Sequence, residues 1–450
     1  MIFRILGLCL LVLSLWSLVS GLPAMAGGPF LVNAEGVAVV WDNSTAVAYH
    51  PESGSCGSFS NDDMLTKIGE NLSFWSGIDD ITLSFDPVTD AIGSVDGTNY
   101  SSLFTASSDC GDEGTGVTPV VFDDDGEITD DIFGNGNRFS VLGFAGPATF
   151  NDDCSEILEG QAFFNCRCQT GSPSGSCPGG VVFTEDDLNF TIMHEFGHLL
   201  GLDHTQVNQS IAEGNCDSSV AGDCDAVPAM YPQSVDAEDQ MTPSRDDQVA
   251  ALTLYGGSTL ASNFCTVSGT LNDANGDPLR CADIQAETGD SADTIAVVSG
   301  ASSPQSDDNG DGDTQDSGEC LSNCGDFILR GLDPSKSYTI TIKPIDSQWR
   351  GGSGINPCNS SQLDYVEEEE IATIAAGDCA GGATLALETI TTISCPEEEC
   401  GAESDTGGGC SCVLDSRDRS GNGFIPFFIS LLVVFGGWKM TGQPFSFMRK

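Results

Sequence analysis

His194-Glu195-Phe196-Gly197-His198-Leu199-Leu200-Gly201-Leu202-Asp203-His204 is the stretch on which the reading of this chain turns. Residues four apart share one face of a helix, so His194 and His198 can aim both imidazoles at a single ion. Gly201 lets the backbone leave the helix in a conformation that a Cβ would resist, and the chain can then bring His204 round as a third ligand. Three neutral imidazoles leave the fourth position of a tetrahedral Zn²⁺ open to water. Glu195, beside the first ligand, can reach that water as a general base. The whole chain has four histidines, and three of them are these. The fourth, His50, stands before Pro51 outside any spacing with the others and is expected to be exposed rather than a ligand.

Outward from that segment the pattern is α+β. Thr184 is placed to cap a helix over Glu185 to Leu200, with Asp187 completing a capping box. A further helix is predicted from Arg245 to Tyr255, ended by Gly256-Gly257. Met64, Ile68, Leu72 and Trp75 give helical spacing to Asn61 through Trp75. Strands are expected at Val37 to Trp41, Ile81 to Phe85 and Phe139 to Phe144, and at Val117 to Phe122, which Pro119 would confine to an edge. From Phe264 the pattern changes to short alternating strands (Thr266 to Leu271, Phe327 to Leu329, Ser337 to Ile342, Thr384 to Ile393) between Gly, Asn, Asp and Pro turns. That is the pattern of a small all-β sandwich.

The expected organisation is a signal peptide over 1–26, a first domain over 27–258, the sandwich over 259–393, a Cys/Gly-rich linker over 394–423 and an apolar tail over 424–450. Arg4, the apolar run Ile5 to Val19 and Ala24-Met25-Ala26 make the signal. Outside it lie 18 cysteines in even groups: eight between Cys56 and Cys224, six between Cys265 and Cys379, then Cys395 with Cys400 and Cys410 with Cys412. In an exported chain this reads as disulfides formed within each segment. With 67 acidic against 15 basic residues the net charge is −52, which excludes nucleic acid as a partner. The acid excess is either a solvated, salt-tolerant surface or in part a holder of Ca²⁺. Asp123 and Asp125 form one candidate calcium loop, and Asp307, Asn309 and Asp311 another. The run Phe424 to Trp438, with Lys439, Arg449 and Lys450 after it, points to the membrane or cell envelope.

The central segment resembles the metzincin clan of zinc proteases. Ala229-Met230-Tyr231-Pro232 resembles the methionine turn beneath the zinc ligands, in the order frequent in the matrixin branch. Asp246-Asp247-Gln248-Val249 through Leu254-Tyr255-Gly256 is similar to the matrixin closing helix. The later Val267-Ser268-Gly269-Thr270-Leu271 and Phe327 through Pro334 resemble the carboxypeptidase regulatory-like β-sandwich, and the tail is similar to bacterial sorting tails. The resemblance implies a metzincin-type domain, Zn²⁺ on His194, His198 and His204, Glu195 as catalytic base, and a protein or peptide substrate outside a bacterial cell. Three departures stand out: Thr205 where matrixins commonly have Ser, 26 positions from His204 to Met230, and no cysteine-switch prosegment. The long connection, with Cys216 and Cys224 expected to bridge, should hang over the primed side of the cleft. A catalytically silent surface-binding protein on the same scaffold remains the alternative.

Overall fold

The computed structural model describes residues 28–89, 92–104, 110–111, 114–171, 177–180, 182–216, 224–301, 303–304, 320–345, 364–366, 368–392 and 394–396. The signal segment, the loop with Asp307, Asn309 and Asp311, and the apolar tail lie outside these residues.

The first unit is built on a six-stranded sheet of β1 (Val40–Trp41), β2 (Val47–Pro51), β3 (Phe85–Pro87), β4 (Pro119–Asp123), β5 (Gly143–Phe150) and β6 (Glu156–Asn165). The order is β1-β6-β4-β2-β3, all parallel, and β5 runs antiparallel to β6. Side chains alternate across the pleat. Val120, Phe122, Ala162 and Phe164 face one core with helices α1 (Asn61–Ser76) and α3 (Glu185–Leu199), while Val121, Phe163 and Phe144 face a second with α2 (Glu127–Phe133). Phe164 meets Phe196 of α3 edge-on at 5.7 Å, and Phe144 stacks on Phe163 at 4.8 Å across the opposite face. Helix α4 (Arg245–Tyr255) closes the unit, and short α5 (Thr259–Asn263) leads out of it.

Helices α1, α3 and α4 each begin with a capping box, on Ser60/Asp63, Thr184/Asp187 and Ser244/Asp247. Each box satisfies orphan N–H groups at both the cap and the third position. The strands differ more from expectation. Residues 81–84 form no strand, and pairing starts at Phe85. Residues 137–139 make a short 3₁₀ turn, so the next strand begins only at Gly143. Pro119 does not mark an edge: β4 lies between β6 and β2, and the proline occupies its first residue, where a missing N–H is best tolerated.

The second unit has two four-stranded sheets. One joins β7 (Cys265–Asn272) to β10 (Asp326–Leu332), β14 (Thr384–Ala386) and β15 (Ile390–Thr391). The other runs β13 (Glu369–Ile374), β11 (Tyr338–Pro344), β8 (Ala282–Glu287), β9 (Ile295–Val298). Val267, Leu271, Phe327 and Leu329 of the first share one core with Ile284, Ala286, Ile340 and Ile342 of the second. A further pair, β12 (Asp364–Val366) with β16 (Ser394–Pro396), carries paired backbone past residue 393, the expected limit of this unit.

Among the described residues six disulfides join Cys56–Cys166, Cys110–Cys154, Cys168–Cys177, Cys216–Cys224, Cys265–Cys379 and Cys320–Cys324, each within its segment. They fit an oxidising, extracellular environment. Among the described residues no helix is long and apolar enough to cross a membrane.

Candidate metal centre

Helix α3 carries two of the three clustered histidines. Its acidic first turn, Glu185 to Asp187, complements the helix dipole, and from Phe190 onward it is entirely buried. After Leu199 the chain turns at Gly201, whose φ of +86° lies in the left-handed region that glycine adopts without penalty. The turn returns His204 to the helix face. The Nε2 atoms of His194, His198 and His204 stand 3.1 Å from one another in all three pairings. Three nitrogens at about 2.0–2.1 Å from one tetrahedral ion would be roughly 3.3 Å apart, so the triangle has the right size for a shared metal.

The lone pairs are directed for that purpose. His194 Nδ1 donates to the Ala229 carbonyl at 2.7 Å and His198 Nδ1 to the Leu202 carbonyl at 2.8 Å. A proton on Nδ1 leaves Nε2 as the metal-binding atom, and the carbonyl fixes the ring plane. Burial lowers the His194 pKa to about 4 and moves His198 well down, so both rings stay neutral, the ligand form. His194, His198 and His204 form the one all-histidine group among the described residues able to hold a metal ion.

The Glu195 side chain packs against β5. A Cβ on Gly143 would come within 3.0 Å of Glu195 Cγ, so the glycine makes room for the glutamate. Both carboxylate oxygens are buried. Burial moves this carboxyl well above its usual range, and the pull of the Ala145 N–H only partly offsets it. A buried carboxylate that adjoins the first histidine and draws on the Ala145 N–H can serve as a proton acceptor for bound water.

The surroundings hold the triangle from several sides. Trp75 Nε1 donates to Met193 O at 3.0 Å, Trp41 Nε1 to Leu199 O at 2.7 Å, and the Tyr255 hydroxyl to Leu200 O at 2.5 Å. Asp247 accepts from Ala229 N–H at 2.8 Å and Met230 N–H at 3.1 Å, and so locks the methionine turn under the histidines. At the N-terminal end of the unit Phe30 N–H donates to Gly201 O at 2.7 Å, and its ring sits edge-on to His198 at 5.8 Å. Sequence reasoning missed Trp41, Asp247 and Phe30 as supports, because each acts through space on a distant carbonyl, amide or ring.

His50 is buried, not exposed: it lies on interior strand β2, and its Nδ1 accepts the Thr118 N–H at 3.1 Å. Asp123 and Asp125 belong to no group of three or more His, Cys, Asp or Glu side chains placed to hold an ion among the described residues. Asp123 accepts from Ile128 N–H, Thr129 N–H and the Thr129 hydroxyl, and so starts α2, while Asp125 accepts from Glu127 N–H. Asp130 is spent on Arg138, and Asp131 on the Tyr100 hydroxyl at 2.5 Å. Cys224, Asp236 and Asp239 also cluster, but the Cys224 sulfur is held in a disulfide and has no thiolate to offer.

The connection from His204 to Met230 carries the expected Cys216–Cys224 bridge. Its apolar residues are docked on the second unit: Val207, Cys224, Val227 and Tyr231 share a cluster with Ala296, Val298, Ala301 and Ile345. No protein-family model matches the chain, and no curated protein matches it.

Proposed function

We propose that this protein is an exported zinc-dependent endopeptidase of metzincin type, with the matrixin-like domain as its catalytic part. The observation that carries the reading is the triangle of three buried Nε2 atoms at 3.1 Å, together with the buried carboxylate of Glu195 on the same helix. His194, His198 and His204 would hold Zn²⁺, which when bound supplies an open position for water and polarises the scissile carbonyl. Glu195 takes a proton from the attacking water at a carboxylate oxygen and returns it to the leaving amine nitrogen. The burial that raises its pKa favours proton uptake, against the weaker pull of the Ala145 N–H. The carbonyls of Ala229 and Leu202 keep two rings in the required tautomer. The methionine turn at Met230 and the glycines at 197 and 201 are the parts of the metzincin resemblance that this geometry supports.

Incubation of the mature protein with a peptide library, with and without a chelator, tests the reading. Cleavage that the chelator abolishes and added Zn²⁺ restores is expected. Cleavage insensitive to chelation would refute it.

A further inference from the structure

The segment that carries the third histidine does not stand free. Immediately after His204, Gln206 donates through Nε2 to Pro344 O on β11 at 3.4 Å. The Gln206 side chain also lies against Asp283 of β8, a carboxyl that burial raises to about 6 and that Gln285, Lys343 and Gln206 pull back down. Val207 enters the apolar cluster with Ala296, Val298 and Ile345. Asn208, in the left-handed region at φ 59°, donates to Ala226 O at 2.7 Å within its own loop and to Ser291 O of the second unit at 2.9 Å. Tyr231, next to Met230, is buried in the same cluster. Asp246, at the start of α4, accepts the Ala296 N–H of β9 at 2.9 Å, and Arg245 donates to Gly331 O at 2.7 Å. Residues 205–208 and 231 bracket the third histidine and the methionine turn, and the sandwich grips both ends of that bracket.

We propose that the β-sandwich is part of the metal site: through Gln206, Val207 and Asn208 it fixes the loop that presents His204 to the two helix histidines. The sandwich supplies no ligand. Gln206 and Asn208 are positioning residues, and the domain functions as a support rather than a detachable appendage. Loss of outer supports of this kind weakens metal binding about tenfold or more, because the third ligand then samples orientations that miss the ion. The inference rests on the reading that the histidine triangle binds zinc.

The test uses the full chain carrying Gln206→Ala, Asn208→Gly and both together, Gly being chosen because it keeps the left-handed backbone while removing the two donors. Thr270→Ala, which removes only an exposed hydrogen bond to Asp326 between the neighbouring strands β7 and β10, is the control. Zn²⁺ affinity is measured by competition with a chromophoric chelator, and the melting temperature of the metal-free protein alongside it. The expected result is about a tenfold loss of Zn²⁺ affinity in the double variant, with the metal-free melting temperature within about 3 °C of wild type and the control unchanged. Each single variant is measured beside the double, so an unfolded double leaves the singles to decide. Variant affinities within about twofold of wild type, or an equal loss in the control, would overturn the proposal. A wild-type chain that binds no Zn²⁺ would instead refute the metal reading itself.

Discussion

The Met230 side chain fills the space that any side chain on Gly197 would need. A Cβ at position 197 would lie 3.0 Å from Met230 Cε and from Trp75 Cζ2, and closer still to Met230 Sδ. The glycine between the two helix histidines is therefore a seat for the methionine turn, whose Ala229 carbonyl orients His194. Gly197→Ala should push Met230 away and disturb that carbonyl. Overpacking of this kind costs about 1–3 kcal/mol, and the helix propensity gained from Ala is smaller. Thermal denaturation should show a lower melting temperature together with weaker Zn²⁺ binding. An unchanged melting temperature and affinity would mean that the turn is not seated on Gly197.

His204→Ala removes one apex of the triangle, and two nitrogens on one helix face cannot complete a tetrahedral site. Elemental analysis should show the zinc content falling well below that of wild type after dialysis against a weak chelator, with folding retained at low temperature. Full metal content in the variant would show that His204 is not a ligand.

Much of this centre is legible in the sequence, for a local reason. The i, i+4 histidines, the glycine that ends the helix and the capping box on Thr184 all lie within residues 184–201, so spacing alone encodes their geometry. The sheet is harder to read. Strand β6, the longest, has Leu158 exposed yet Gly160 through Asn165 all buried, because it has strands on both sides and cores on both faces. A buried strand of that kind loses the alternation by which strands are recognised. The acidic run at Asp123 is ambiguous for a different reason. Its carboxylates have the composition of an ion loop, but their partners are N–H groups of the helix they begin, and composition does not distinguish the two. The docking of Gln206 on Pro344 and of Asp246 on Ala296 links residues 138 and 50 apart, with no periodic signal to betray it.

Glu52 predicts a pH dependence of stability. Burial lifts its pKa from the ordinary 4.5 to about 7, against hydrogen bonds from Val95 N–H and Phe122 N–H, and the nearby Asp123 and Asp124 push it further up. With the folded pKa above the unfolded one, the folded state holds the proton more tightly. Its contribution is full below about pH 4.5 and is lost as the pH rises to about 7, a change on the order of 3 kcal/mol at most. Glu52→Gln keeps an acceptor for one of the two N–H groups, which bind different carboxylate oxygens, and removes the titration. Urea midpoints across this range should fall with rising pH in wild type and fall less steeply in the variant. Parallel profiles would show that Glu52 does not carry the effect.

The most direct test of the whole account combines metal content and turnover in one preparation of Glu195→Gln. The three histidines remain, so the variant and wild type alike should hold about one zinc per chain. The proton acceptor is gone, so peptide cleavage should fall by about 100-fold or more. A variant that holds its zinc and cleaves peptides at the wild-type rate would contradict the assignment of Glu195 as the base, and with it the proposed mechanism.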